Sequence, residues 1–176
     1  SVIYDPKGIT KIADNASTDA DSISFFSNKS TAQITTLNGI TEIKTLNLSG
    51  GSKVEALYVS GIEELSFLDQ TIDLSSQIKS FVTPENTTLK IEQNNQDVIL
   101  TAKATSITSD ATGTTLYVFG NSSNYEINQA GAKHYLYEID GSSNKIRTVE
   151  ISGVSNVQFT DKIQVIETDY TLDLSG

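Results

Sequence analysis

The sequence contains no cysteine, no methionine and no tryptophan, and it has a single histidine. Without cysteine the chain forms neither disulfides nor thiolate metal sites. One histidine is too few for a histidine-based zinc site. No run of 18 apolar residues occurs, which excludes membrane insertion through a hydrophobic helix. The chemistry of the chain must therefore come mainly from oxygen-bearing side chains.

Basic residues are also scarce, because 12 Lys and Arg face 22 Asp and Glu and give a formal net charge of −10 at pH 7. Nucleic acids and anionic membranes are bound through Lys and Arg. We therefore predict that nucleic acid is not a partner and that anionic membranes are disfavoured, and cations are the natural counter-ions. Hydrophobic residues make up only 37%, which predicts a thin core. The abundant Ser, Thr, Asn and Asp favour turns, and strands that expose one face to solvent.

Apolar residues recur at a period of two along most of the chain, as in Leu57/Val59 and Tyr135/Tyr137/Ile139. This alternation predicts short half-buried strands with the alternating apolar residues on the buried face. No segment shows a convincing helical period. The chain is therefore predicted to be all-β, built of short strands and hairpins in a sandwich-like arrangement, with a β-solenoid as the alternative.

The sequence contains an internal duplication. Residues 53–69 (KVEALYVSGIEELSFLD) recur as residues 145–161 (KIRTVEISGVSNVQFTD), at an offset of 92. Further upstream blocks match with small gaps. Downstream, TIDLSS from Thr71 recurs as TLDLSG from Thr171, which places extra length of the second copy in residues 162–170. We predict two tandem copies of one module, residues 1–82 and 83–176.

Two pairs of equivalent residues in the duplication have structural interpretations. Gly61 and Gly153 each lie between two predicted strands, which is typical of a bulge or a tight bend. Phe67 and Phe159 are predicted to be the central core residue of each copy.

The second copy resembles a known kind of module. Residues 119–165 are similar to the β segment that flanks calcium-binding RTX repeats, and Gly153, Val154, Val157, Phe159 and Asp161 fit its last strand. The first copy resembles β-rich stretches of bacterial S-layer proteins of the RTX-secreted type. The resemblance implies a non-enzymatic structural or assembly module of a bacterial cell-surface layer or a secreted adhesin. It implies an extracellular location, and self-association or neighbouring modules of the same protein as partners.

The RTX calcium motif itself is not found in this chain. That motif repeats G-G-x-G-x-D-x-apolar-x, and its nearest counterpart, residues 50–55 (GGSKVE), lacks the third glycine and the aspartate. The resemblance therefore implies a spacer or assembly module beside a calcium roll.

Calcium is nevertheless the one candidate ligand of the chain. Asp14, Asp19 and Asp21 lie within eight residues, in DNASTDAD, and hard cations need several oxygen ligands on a flexible loop. The equivalent loop of the second copy, residues 109–113, is poorer in acidic residues. We predict a calcium site at Asp14, Asp19 and Asp21, with a solvated turn as the alternative.

Residues that could serve catalysis have simpler interpretations. His134, which a catalytic triad would have to use, is predicted to be a solvent-facing strand residue. Glu63, Glu64, Asp69 and Asp73 could supply the paired carboxylates of a glycosidase, but surface charge is the preferred interpretation. The chain is predicted not to be an enzyme. A module that binds glycan or another surface ligand is the second hypothesis, and a polysaccharide-active enzyme is the third.

Overall fold

The computed structural model describes residues 2–3, 11–13, 21–45, 56–74, 80–84 and 87–166. The chain divides into two compact units, residues 1–80 (unit 1) and 81–176 (unit 2). The described residues contain β-strands and two short 3-10 helices, Lys29–Thr31 and Ser122–Asn124, so the all-β prediction is confirmed. Within these described ranges, no helix is long and apolar enough to span a membrane.

The described part of unit 1 forms two small sheets. Its strands are β1 (Val2–Ile3), β2 (Lys11–Ala13), β3 (Ser22–Ser24), β4 (Ala32–Leu37), β5 (Ile40–Thr45), β6 (Leu57–Ser60), β7 (Glu64–Ser66) and β8 (Thr71–Asp73). One sheet has the order β1-β3-β7-β8, and only its last pair is antiparallel. The other has the order β2-β6-β5-β4, in which β2 and β6 are parallel and the remaining pairs antiparallel.

Unit 2 also has two sheets in its described part. Its strands are β9 (Thr88–Ile91), β10 (Asp97–Ile99), β11 (Ser106–Ser109), β12 (Thr115–Tyr117), β13 (Tyr125–Ala130), β14 (Lys133–Ile139), β15 (Lys145–Ser152), β16 (Asn156–Gln158) and β17 (Ile163–Val165). The sheet orders are β10-β12-β16-β17 and β9-β11-β15-β14-β13.

The strand order and directions of unit 1 recur in unit 2. The sheet β10-β12-β16-β17 has two parallel pairs followed by an antiparallel one, as β1-β3-β7-β8 has. The strands β11-β15-β14-β13 are paired parallel, antiparallel and antiparallel, as β2-β6-β5-β4 are. Among the described strands the difference is β9, which adds a parallel strand to the outer edge of β11.

The described strands do not form a β-solenoid, the alternative that the sequence allowed. A solenoid stacks similar coils at a regular repeat. Here each unit contains an antiparallel hairpin in one sheet and ends its other sheet with an antiparallel strand. In unit 2, Ser106 pairs on one side with Thr88 and on the other with Glu150, so the spacing is irregular and the sheets are small and mixed.

One apolar cluster in each unit takes residues from both of its sheets. In unit 2, Leu116 and Val157 of one sheet and Ile107 and Ile151 of the other belong to a single cluster. Phe159 is 1% exposed in this cluster and lies 5.4 Å, between ring centroids, from Tyr125. The prediction that Phe159 is a core residue is confirmed.

Phe67 is the corresponding core residue of unit 1. It is 8% exposed, belongs to the apolar cluster of that unit, and stacks on Phe25 at a centroid distance of 4.8 Å. The prediction for Phe67 is confirmed, although the aromatic ring beside it comes from a different position than in unit 2.

The two equivalent glycines form the predicted bends. Gly61 follows β6 with φ +69°, and Gly153 follows β15 with φ +72°. Both angles lie in the left-handed region, which glycine enters without steric cost. A β-carbon on Gly153 would lie 1.9 Å from the carbonyl oxygen of Ser109 on the adjacent strand. Only glycine therefore fits this corner as it stands.

The prediction that residues 162–170 are extra length of the second copy is wrong in part. Ile163–Val165 form β17, which is the counterpart of β8 in unit 1. In unit 1 the N–H of Phe67 donates to the carbonyl of Gln70, and in unit 2 the N–H of Phe159 donates to that of Lys162, both at 2.8 Å. Because the turns are equally long, β17 begins where β8 begins. The matching TLDLSG, residues 171–176, lies outside the described residues.

Candidate functional site

The predicted calcium loop is described only at its end, since Asp14 and Asp19 lie outside the described residues. Asp21 is half-buried, and its N–H donates to Oε2 of Glu63 at 2.7 Å. Its carbonyl accepts the N–H groups of Glu63 and Glu64 at 3.0 and 3.1 Å. These bonds anchor the end of the loop beside a further carboxylate, Glu63. The calcium site at Asp14, Asp19 and Asp21 stays a prediction.

The equivalent loop of unit 2 holds an ion pair. Nζ of Lys90 lies 2.7 Å from a carboxylate oxygen of Asp110 and 3.5 Å from one of Glu92. The hydrogen bond to Asp110, with a smaller contribution from Glu92, raises the pKa of Lys90. A lysine ammonium thus supplies the positive charge between these two carboxylates. In the part of the chain that the structure describes, no three His, Asp or Glu side chains form a group that could hold a metal ion.

Three of the four acidic residues considered for glycoside cleavage accept hydrogen bonds, and the fourth, Asp73, is exposed on β8. Glu63 accepts the N–H of Asp21, Glu64 accepts the hydroxyl of Ser66 at 2.7 Å, and Asp69 accepts the N–H of Lys29 at 2.8 Å. Each of these three carboxylates therefore accepts a hydrogen bond from a backbone N–H group or a hydroxyl group and helps to fix the strand or turn that carries it.

Asp161, in the turn after β16, binds the 3-10 helix that precedes the hairpin of unit 2. Its carboxylate accepts the N–H of Ser122 at 2.7 Å and the hydroxyl of Ser122 at 2.8 Å. These two hydrogen bonds lower the pKa of Asp161. Asp69 makes the corresponding bond to the first residue of the 3-10 helix in unit 1. The identity of Asp69 and Asp161 in the duplication thus has a structural explanation.

Replacing Asp161 is expected to change how stability depends on pH. A carboxylate with a lowered pKa in the folded state adds stability above its unfolded pKa of about 4, and loses it as the pH falls through the lower folded value. We expect the melting temperature of the wild type to fall more steeply than that of Asp161→Asn between about pH 5 and pH 3. Asp73→Asn, which alters an exposed carboxylate on β8, is the control. Parallel curves for the wild type and Asp161→Asn would contradict the assignment.

His134 is not solvent-facing, so that prediction is wrong. The side chain is 8% exposed and pairs across β13 and β14 with Gln129. His134 and Leu136 point to the same side of β14 because side chains alternate along a strand. Leu136 belongs to the apolar cluster, so alternation also carries His134 to the buried side.

The same alternation reverses the predicted orientation of β14. The pattern Tyr135/Tyr137/Ile139 predicts that these residues face the core, but the strand buries Leu136 instead. Tyr135 and Tyr137 are half-buried on the opposite side, with ring centroids 6.4 Å apart. We call the outer side of β13, β14 and β15 around these two rings the tyrosine face.

Charged and amide groups surround the rings of the tyrosine face. Nζ of Lys145 lies 3.5 Å from the ring centroid of Tyr137 and 3.7 Å from a carboxylate oxygen of Glu126. The amide of Asn128 donates to Glu126 at 2.6 Å. The face thus combines aromatic surface with hydrogen-bonding groups. The sequence signal for this face was the pair of tyrosines at positions i and i+2. The face was not predicted from the sequence because both tyrosines were assigned to the buried side of the strand.

A cluster of one lysine, one glutamate and one tyrosine occurs at equivalent places in both units. The glutamate and the tyrosine are exchanged between the two strands, and the lysine stays on the same strand. In unit 2, Tyr135 lies opposite Glu150, which binds Nζ of Lys133 at 3.0 Å and raises the pKa of that lysine. In unit 1, Glu42 lies opposite Tyr58.

The unit 1 cluster is more buried than its counterpart. Glu42 accepts the Tyr58 hydroxyl at 3.0 Å and lies 2.9 Å from Nζ of Lys44, with 5% of its side chain exposed. The exposed fraction of the Glu150 side chain is 22%. Tyr58 is buried as well, whereas Tyr135 and Tyr137 are half-buried, so within the described residues the accessible tyrosine face is a feature of unit 2.

Comparison with known proteins yields no relative. No protein-family model, no curated protein and no solved structure matches the chain significantly.

Proposed function

We propose that this chain is a non-enzymatic structural module of a bacterial cell-surface layer or a secreted RTX-type adhesin, and that it consists of two tandem sandwich-like copies, residues 1–82 and 83–176. The observation that carries the proposal is the recurrence in unit 2 of the strand order and pairing directions of unit 1. Surface arrays and long adhesins grow by repetition of one module, whose neighbours then stack.

The conserved internal contacts of the two units support this proposal. Each unit has a left-handed glycine at the corner after an equivalent strand, β6 or β15, and a phenylalanine in its core. Each also has an aspartate bound to the 3-10 helix before the hairpin. The features common to the two units are those that maintain a fold, while exposed positions such as Thr71 and Ile163 differ between them. This division suits a spacer or assembly unit better than a shared catalytic site.

Calcium and the extracellular location are part of the same proposal. A formal charge of −10 opposes association of copies unless a counter-ion neutralises it. Calcium would reduce this repulsion by bridging carboxylates of Asp14, Asp19 and Asp21, within the loop or to a neighbouring module. Extracellular calcium modules bind in the range of roughly 10⁻⁴–10⁻³ M, so such a site acts only where calcium is abundant.

The test measures association and stability of the whole chain with and without calcium. We expect millimolar calcium to increase light scattering relative to chelator and to raise the melting temperature slightly, because ligand binding to the folded state stabilises it. The double variant Asp19→Ala/Asp21→Ala should lose both effects. The double variant Asp73→Ala/Glu92→Ala removes the same charge at exposed positions and should keep them.

Identical scattering and melting curves in chelator and calcium would contradict the calcium part of the proposal. A wild-type chain that stays monomeric at high concentration in both conditions would contradict the assembly role as well.

A glycan-binding module is the second candidate, and the tyrosine face is the observation that favours it. Tyrosine offers an amphipathic ring at a low cost in side-chain entropy. The amide of Asn128 and the carboxylate of Glu126 lie beside these rings as hydrogen-bonding groups. The two candidates differ in the surface responsible, since glycan binding would depend on the tyrosine face and assembly on contacts between copies of the chain.

A further inference from the structure

The edge strand β17 of unit 2 exposes two β-branched apolar side chains. Ile163 is 61% and Val165 is 69% exposed, and β17 is the last strand of the order β10-β12-β16-β17. Exposed apolar edge strands are templates for pairing with another chain, and proteins usually protect them with charge or cover. These two side chains, at alternate positions of one edge strand, form an exposed apolar strip.

The backbone of β17 also faces outward at these two residues. The N–H of Ile166 donates to the carbonyl of Ser155 at 2.9 Å, and the carbonyl of Lys162 accepts the N–H of Phe159. Backbone groups alternate in direction along an antiparallel strand. Residues 162, 164 and 166 therefore direct their groups towards β16, and Ile163 and Val165 direct theirs towards the edge at which β17 pairs with no described strand.

The equivalent edge of unit 1 is protected. In the registers of β7 with β8 and of β16 with β17, Thr71 corresponds to Ile163 and Asp73 to Val165. Thr71 and Asp73 are exposed and polar, and a charge on an edge strand opposes pairing with another strand. The two units thus have an edge strand at the same position, but only the edge strand of unit 2 is suited to pairing with a strand of another molecule.

We propose that β17 is an assembly edge, at which two copies of the chain join through antiparallel pairing of β17 with β17. This inference rests on the proposed structural role and names the surface that serves it. In an isologous pair centred on Gln164, Ile163 of each copy lies opposite Val165 of the other, so both apolar residues gain an apolar cross-strand neighbour. The self-complementary pattern points to a second copy as the occupant.

Charge supports the same occupant. Residues 162–166 (KIQVI) carry one lysine and no acidic residue, in a chain with a net charge of −10. Two β17 strands therefore meet without a carboxylate in either strand, and each strand brings one lysine to a copy whose net charge is negative. The strand has only three residues, and such a small contact gives a weak, concentration-dependent interaction.

The experiment is sedimentation equilibrium of the full chain over a wide concentration range. Val165→Asp introduces the residue that unit 1 has at the equivalent position. In a symmetric pair of copies the substitution is present twice, once in each β17. We expect it to weaken self-association by about tenfold or more. Thr71→Asp adds the same charge to the equivalent edge of unit 1 and is expected to leave self-association unchanged. Circular dichroism should show both variants folded, since both positions are exposed.

The other outcomes would overturn the inference in different ways. If the wild type associates and Val165→Asp associates equally well, the assembly role stands and the β17 edge is wrong. If Phe26→Asp, which changes the 73% exposed phenylalanine of unit 1, abolishes association instead, that surface is the contact. If the wild type stays monomeric at all concentrations, both proposals fail. In that case, slow hydrogen exchange at the amides of residues 163 and 165 would show that these groups are hydrogen-bonded in the monomer. The partner strand of β17 would then be a segment of the same chain.

Discussion

Phe159→Ala is expected to lower the free energy of unfolding by about 3–5 kcal/mol, because it removes buried aromatic surface and leaves a cavity. Phe159 is 1% exposed and contacts the ring of Tyr125, so few neighbours can move in without disturbing the cluster. Domains of this size are typically stable by about 5–15 kcal/mol. The loss is therefore large enough to unfold unit 2 under mild denaturant.

Chemical denaturation followed by circular dichroism measures this effect. Ile163→Ala, at a 61% exposed apolar residue of the same unit, is the control and should change stability by less than about 0.5 kcal/mol when measured at low protein concentration. A loss below about 1 kcal/mol for Phe159→Ala would mean that the ring is not a central part of the core.

Gly153→Ala is expected to destabilise the chain by about 2–5 kcal/mol, since two separate costs add. An alanine in the left-handed region costs about 1–2 kcal/mol, and forcing extra volume into a packed site costs about 1–3 kcal/mol more. The second cost arises because the new β-carbon would meet the Ser109 carbonyl of the parallel neighbour β11.

Gly131→Ala separates the two costs. Gly131 has φ +64°, and a β-carbon there would have no atom within 4 Å. Its replacement carries the left-handed cost alone, so the difference between the two variants in denaturation measures the close approach to Ser109. Equal losses in the two variants would show that β15 and β11 do not approach each other as closely as the structure indicates.

The sequence alone predicted the features that depend on local sterics and on repetition. Period-two alternation predicted strands, and the absence of a helical period predicted an all-β chain. Gly153 between two strand patterns predicted the bend, because few positions other than turns and bulges favour glycine inside a strand pattern. The large aromatic Phe159 was predicted to be buried because a chain poor in hydrophobic residues has few alternatives for its core.

The candidate sites could be predicted only in part. The acidic loop of Asp14, Asp19 and Asp21 was visible as composition, but composition does not show which carboxylates already have partners. Lys90 and Asp110 are far apart in the sequence and meet across neighbouring strands. The contact of Asp161 with Ser122 likewise joins residues 39 apart. Such contacts depend on which strands are adjacent, which periodicity does not reveal.

What the sequence determined by itself was thus the β character, the position of the bends and the main core residues, since each follows from side-chain size or local backbone freedom. Tertiary structure decided which side of a strand is buried and where a strand begins. In β14 both sides carry residues that can be buried, and pairing with β13 and β15 turns Leu136 inward and leaves Tyr135 and Tyr137 outside. In β17 the turn from Phe159 to Lys162 determines that Ile163 and Val165 form the strand and point outward. A register shift of one residue reverses every side chain of a strand, and the register is set by neighbouring strands and turns that are distant in the sequence.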